Sequence, residues 1–207
     1  KHIEEDEYGL AIDTFIELIE IFGWENWSDE DQIIFQSGNV IWSKRGNDRM
    51  FPLLWAYYFR GHALYELNKY SESISDFSTA IDLGLDIFNY DPDGEFTGSS
   101  ARSWTVYAYN FRGIANRCVD NYQDTLDDFE RALELCQDDD IHHKKQIYYN
   151  MGLTKIDMGD DEGAIDAFTF SIELSPEEIN PYYYRGTVRY NIDDIDSSNL
   201  SIKQLEN

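Results

Sequence analysis

YYFRGHALYELNKYSESISDFSTAIDL, residues 57–83, and YNFRGIANRCVDNYQDTLDDFERALEL, residues 109–135, align without a gap. Arg60 falls on Arg112, Gly61 on Gly113, Tyr70 on Tyr122, Phe77 on Phe129 and Ala80 on Ala132. YYNMGLTKIDMGDDEGAIDAFTFSIEL, residues 148–174, is a third copy, with Gly152, Ala164, Phe168 and Ser171 in the matching columns. YYYRGTVRY, from Tyr182, opens a fourth. In the first copy Tyr57, Gly61, Leu64 and Leu67 recur at steps of three and four, and after a polar break Tyr70, Ile74, Phe77 and Ala80 do the same. That pattern is an amphipathic helix, a turn and a second amphipathic helix.

Gly61, Gly113, Gly152 and Gly186 are successively 52, 39 and 34 residues apart. The last spacing is the period of tetratricopeptide repeats, and the others imply insertions of 18 and 5 residues. The repeated columns over about residues 54 to 192 resemble that family. The resemblance implies an all-α, right-handed α-solenoid of antiparallel helix pairs, a tetratricopeptide-like superhelix that binds other proteins. The expected organisation is an N-terminal helical pair over 1–50, repeats over 51–192, and a capping or truncated helix over 193–207.

Mid-helix glycine costs about 0.5–1 kcal/mol relative to alanine, so the four glycines predict close approach of the partner helix. Ala80 and Ala132 are the expected small surface opposite. Arg60 and Arg112 occur where Asp76 and Asp128 stand sixteen residues later, and the third copy replaces both members with Met151 and Ala167. An Arg–Asp tie between the helices of a unit is the simplest reading, with an anionic ligand for the arginines as the alternative.

Residues 4–22 read as an amphipathic helix in which Tyr8, Ala11, Ile12, Phe15 and Leu18 mimic a second helix. Another helix is expected near 29–45, opened by Ser28 and Asp29. The two form either a degenerate pair or an incomplete unit with irregular packing. The insertion, roughly Leu85 to Ser103, contains DPDGEFTGSS and reads as a mobile surface loop and a secondary contact site.

With 42% hydrophobic and 15% aromatic residues the 207-residue chain has material for a continuous core. Asp and Glu number 41 against 16 Lys and Arg, a formal charge of −25. That balance disfavours nucleic acid and favours basic proteins or peptides. Cys118 and Cys136 read as apolar packing inside helices in a reducing compartment. No apolar run approaches the roughly 20 residues of a membrane span, so a soluble, cytoplasmic chain is expected. Lys1 in place of Met reads as a trimmed start, which leaves an upstream targeting signal untested.

The resemblance implies that first helices line a concave surface. Their outward stripes carry Trp55, Tyr58, His62 and Tyr65; Tyr107, Asn110, Ile114 and Arg117; Gln146, Tyr149, Leu153 and Ile156; and Tyr183, Thr187 and Tyr190. Aromatic stripes inside an acidic shell suit a basic or apolar segment, unless the superhelix or a second copy buries them. Chaperone-docking members of the family hold a C-terminal carboxylate with Lys, Arg and Asn. Here only Asn110 and Asn150 have that chemistry, so an acidic tail is a poor ligand.

No catalytic set emerges. His142 and His143 are adjacent on a helix and diverge by about 100°. His62 has no nucleophile near it in sequence, and DPDGE lacks the ligand alternation of a calcium loop. No cofactor or metal is expected. The reading is a non-enzymatic protein-interaction scaffold; an acidic inhibitor of a basic toxin or nuclease and a regulatory domain of a larger enzyme are the alternatives.

Overall fold

The computed structural model describes the backbone of residues 2–22, 34–36, 39–41, 47–90 and 98–205, and the side chains of residues 7–20, 52–89 and 101–193. The chain divides into two units, residues 1–135 and 136–207. The first holds α1 (His2–Phe22), β1 (Ile34–Gln36), β2 (Asn39–Ile41), α2 (Asn47–Glu66), α3 (Tyr70–Tyr90), α4 (Gly98–Arg117) and α5 (Tyr122–Leu135). The second holds α6 (Ile141–Asp157), α7 (Asp161–Leu174) and α8 (Ile179–Leu205). Helices adjacent in sequence pack on each other within each unit.

The three complete repeats share one joint. A Cβ on Gly61 would stand 3.1 Å from the ring of Phe77, one on Gly113 2.7 Å from Phe129, and one on Gly152 2.5 Å from Phe168. Glycine is thus required because a fully buried ring lies directly against the first helix. The expected small surface opposite the glycines is corrected: a phenylalanine occupies that place, and Ala80 and Ala132 are buried elsewhere in the core. Seven residues beyond each glycine the chain turns through a left-handed residue, Asn68 (φ 59°), Asp120 (φ 62°) or Gly159 (φ 75°). Backbone bonds from Lys69 N to Leu64 O, Asn121 N to Asn116 O and Asp160 N to Lys155 O close the three turns at 2.8–3.0 Å.

The Arg–Asp ties form. Arg60 donates from Nε and Nη2 to the two Asp76 oxygens at 2.7 and 2.6 Å, and Arg112 Nη2 donates to Asp128 Oδ1 at 2.6 Å. Ser73 and Thr125 hydroxyls donate to the carbonyls of Gly61 and Gly113 at 2.8 and 3.1 Å. Both ties disappear together in the third repeat, where Met151, Ala167 and Ala164 stand in those columns.

Three expectations change. The helix expected near 29–45 is replaced, in the described part of that stretch, by the β1–β2 hairpin with Ile34 opposite Ile41 and Gln36 opposite Asn39. Ile34, Phe35, Val40 and Ile41 are β-branched or aromatic, which suits paired strands. The 18-residue insertion mostly lengthens helices: α3 continues to Tyr90 and α4 begins at Gly98. Leu83 and Ile87 of α3, with Ala101 of α4, bury against Leu53 and Leu54 of α2, which an apolar-poor loop sequence would not do. Only 91–97, within the DPDGEFTGSS stretch, lies outside the described residues. Finally, the segment after Tyr190 continues α8 to Leu205 as one helix and does not turn back as a second. Neither cysteine forms a disulfide, and both follow helices, Cys118 after α4 and Cys136 after α5; Cys118 is exposed, so it is not core packing.

Candidate functional site

In the first unit the stripes of α2 and α4 make an aromatic surface. Trp55, 42% exposed, meets Trp104 edge-on at 5.9 Å. Tyr58 is 6% exposed, enclosed by Phe59, Phe77, Trp104, Tyr107 and Phe111 at 5.1–6.4 Å. Burial, and then the neighbouring Tyr107, pushes its phenol well above the ordinary value. His62 stands edge-on to Phe111 at 5.0 Å, with its Nε2 4.0 Å from Glu66. Tyr65 packs on Tyr70 at 5.7 Å, and its phenol is pushed up to about 12 by burial and then by Cys118. Tyr107 is half-buried against Trp104 at 5.7 Å, while Ile114 and Arg117 are half-buried further along.

Asn110, 6% exposed, is inside with Tyr58. Neither lies on an open face, in contrast to the sequence expectation. For Tyr58 the lengthened α4 is the reason, because Trp104 and Phe111 fall over its ring and close that part of the stripe. Trp104 is the residue that sequence reading missed. Its signal was its place three residues before Tyr107 on the same helix face.

In the second unit Tyr149 is half-buried between Phe168 and Tyr184, at 6.0 and 5.9 Å, and Leu153 is half-buried one turn on. Gln146 is exposed, Ile156 half-buried and Asn150 buried. Tyr183 and Tyr190 are 67% and 71% exposed. Thr187 is exposed and donates to the Tyr183 carbonyl at 3.0 Å. A cleft of about 100 Å³ is lined by Lys145, Gln146, Tyr149, Ser171, Glu178, Asn180 and Pro181. Lys145 Nζ donates there to Glu178 Oε1 at 2.8 Å and to Ser175 Oγ at 3.2 Å, a cation adjacent to the expected stripe.

These faces have the means to bind. Exposed rings bury a large apolar area with few rotamers to freeze, and their faces attract ammonium and guanidinium groups. Among the described residues no three His, Cys, Asp or Glu side chains are gathered to hold a metal. His142 and His143 have ring centroids 5.9 Å apart, nearly perpendicular. Among the described residues no helix is long and apolar enough to cross a membrane.

The tetratricopeptide-repeat family profile matches residues 56–83 and 145–178. The chain is 33% identical over 87 residues to the photosystem I assembly protein Ycf3 of Acaryochloris marina, a match covering 42% of this chain. It spans about half, 51%, of that relative's length. Among solved structures it superposes on the TPR domain of Arabidopsis OM64 with TM-score 0.53 at 15% identity, covering 69% of this chain and 98% of that one. The Sgt2 TPR domain of Aspergillus fumigatus matches with TM-score 0.54 at 18% identity, covering 70% and 83%. Residues 56–83 and 145–178 thus match tetratricopeptide repeats, and the described helices have the fold of tetratricopeptide-repeat domains.

Proposed function

We propose that this tetratricopeptide-repeat chain captures a basic or apolar protein segment on the aromatic faces of its first helices, without catalysis. The observation that carries the reading is the exposed aromatic set, Trp55 on α2 and Tyr183 and Tyr190 on α8, in a chain of formal charge −25. Apolar anchors of the ligand lie on the rings, and its cations gain from ring faces and from the surrounding carboxylates. Trp55, His62, Tyr65, Tyr107, Ile114 and Arg117 are the contact residues in the first unit; Gln146, Tyr149, Leu153, Tyr183 and Tyr190 are those in the second. Tyr58 and Asn110 act from within, holding the first face in shape. The name of the Ycf3 relative records assembly of photosystem I, which supports a role in which the captured segment belongs to a subunit of an assembly.

The test is selection from a random peptide-display library. Enriched peptides should be basic and aromatic or aliphatic, bind more weakly at high salt, and lose binding to a Trp55→Ala/Tyr183→Ala/Tyr190→Ala chain whose circular dichroism is unchanged. Acidic enriched peptides, or full binding by that variant, would refute the assignment. A second reading, an acidic inhibitor of a basic protein, rests on the charge alone. It predicts that binding survives the triple substitution and still falls steeply with salt.

A further inference from the structure

Two clefts of about 340 Å³ each recur in the first unit, one copy apart. One lies beside the Arg60–Asp76 tie, among α1, α2 and α3; the other lies beside the Arg112–Asp128 tie, among α3, α4 and α5. Their columns correspond but their chemistry differs. Leu64 and Ser75 line the first where Asn116 and Asp127 line the second, and Ile16 of the first is answered by Ser78 in the second. The clefts keep a carboxylate in common at Glu72 and Asp124, and an apolar wall at Ile12 and Ile74.

The second cleft holds an amide where its sister holds a leucine. Asn116 is 6% exposed. Its Nδ2 donates to Asp128 Oδ2 at 3.2 Å, and its Oδ1 has no hydrogen-bond partner among the described residues. That oxygen is not among their sealed polar atoms, so it opens on the cleft that the side chain lines. An amide oxygen left unpaired in a buried side chain is a cost that leucine does not carry, and a donor entering the cleft removes it.

The donors already in place are engaged. Arg112 gives Nε and Nη2 to Asp128 and Nη1 to Ser78 Oγ at 3.0 Å, while the Ser78 hydroxyl donates to the Ile74 carbonyl at 2.8 Å. Acceptors remain. The Asp124 carboxylate has no hydrogen bond or ion pair among the described residues, and Asp127 accepts from Gln123 Nε2 at 2.8 Å through one oxygen alone. Burial holds the Asp128 carboxyl above its ordinary range although Arg112 and Asn116 pull it down, and Asp124 adds to the rise. A further positive charge in the cleft is therefore favoured.

We propose that this cleft binds a primary alkylammonium group, whose three N–H donors meet Asn116 Oδ1, Asp124 and Asp127 while its methylene stem lies on Ile74. Its volume far exceeds the roughly 15 Å³ that one water needs, which leaves room for an alkyl stem behind the head. Two sources carry that chemistry, the end of a free polyamine and a lysine side chain of another protein. Asp124 and Asp127 are exposed at the rim, where either can reach them. The sister cleft, with Leu64 and Ser75, has no amide oxygen to satisfy and one carboxylate fewer. The site goes beyond capture on the aromatic faces and does not depend on it. Arg112 and Asn116 each stand two residues from Ile114, about 200° around α4, so a segment lying on that stripe does not enter the cleft.

Titration of n-butylammonium chloride into the isotope-labelled full chain, followed by chemical shifts, tests this. The Asn116 side-chain amide and the backbone of Asp124 and Asp127 should shift and saturate, with Leu64 and Ser75 still. Tetramethylammonium, which has the charge but no N–H donor, should bind about tenfold more weakly or worse, equivalent to about 1.4 kcal/mol. Asn116→Leu/Asp127→Ser, which copies the sister cleft, should weaken n-butylammonium binding by about the same factor. Asp127→Ser alone, at an exposed position, should weaken it a few-fold and keeps the test decisive if the double variant folds poorly. The Trp55→Ala/Tyr183→Ala/Tyr190→Ala chain should bind n-butylammonium as the parent does, which separates this site from the aromatic faces. Spermidine and acetyl-lysine methylamide distinguish the sources, the tighter binder at the same shifts identifying which one the cleft takes. Shifts spread along every acidic helix, equal binding of tetramethylammonium, or binding unchanged in both cleft variants would overturn the proposal.

Discussion

The repeat of α4 and α5 and the repeat of α6 and α7 hold a phenylalanine on a glycine in the same way but brace the pair differently. In the first, Arg112 grips Asp128 and Thr125 bonds the Gly113 carbonyl; in the second, Met151, Ala167 and Ala164 replace those groups, the Ser171 hydroxyl of α7 donates instead to the Lys145 carbonyl of α6 at 2.9 Å, and the ring sits closer, 2.5 Å against 2.7 Å from the notional Cβ. The ring–glycine joint is thus the common requirement of the repeat, and the ion pair is an accessory that one repeat discards whole. Discarding it whole is what physical chemistry demands. Half of a desolvated ion pair costs more than none.

The largest effect should come from removing the joint. Phe129→Ala and Phe168→Ala each delete a fully buried ring and should cost about 3–5 kcal/mol in urea unfolding, with similar values in the two repeats. A much smaller loss at Phe168 would show that the repeat without the ion pair is held mainly by other contacts, such as the bond from Ser171 to the Lys145 carbonyl. Next, Asp128→Ala leaves the half-buried Arg112 without its carboxylate and should cost about 2–3 kcal/mol. The double change Arg112→Met/Asp128→Ala transplants the solution of the third repeat and should return to within about 1 kcal/mol of the parent. If the double change is as damaging as the single one, the ion pair is no accessory.

Glycine to alanine gives a sharper contrast of sign. Gly113→Ala drives a Cβ into the Phe129 ring and should cost about 1–3 kcal/mol, whereas Gly186→Ala meets open space and should raise stability by about 0.5–1 kcal/mol. The smallest effect belongs to the turn before α7. Asp160 caps that helix by accepting from Gly163 N at 3.0 Å and pairs with Lys155 at 2.7 Å. Its carboxyl lies below the ordinary range, first because of Lys155 and then because of the Gly163 amide. Asp160→Ala should cost about 1 kcal/mol. Because the folded value is the lower one, that contribution is complete above about pH 4 and fades as the pH falls through the folded value, so parent and variant should converge in acid.

Much of this was legible in the sequence because it is periodic. The glycine column, the paired Arg and Asp and their joint loss at Met151 and Ala167 can be read by aligning copies, and the structure places each pair in contact. What escaped was non-periodic. Local turn composition at 91–100 suggested a loop, but tertiary burial of Leu83, Ile87 and Ala101 extended α3 and α4 around it. The stripe rule marked Tyr58 as outward because it counts steps along one helix, whereas its burial depends on Trp104 and Phe111 of the longer neighbour. Nor does a column show what lies against it: among the described residues a Cβ on Gly186 would meet nothing within 4 Å, unlike the other three.

Chemical-shift mapping of a library-selected basic peptide on the isotope-labelled chain tests the central claim most directly. Shifts confined to the outward faces of α2, α4, α6 and the opening turns of α8, led by Trp55, Tyr107, Tyr149 and Tyr183, are the predicted result. Shifts confined to the acidic outer faces of α3, α5 and α7 would contradict it.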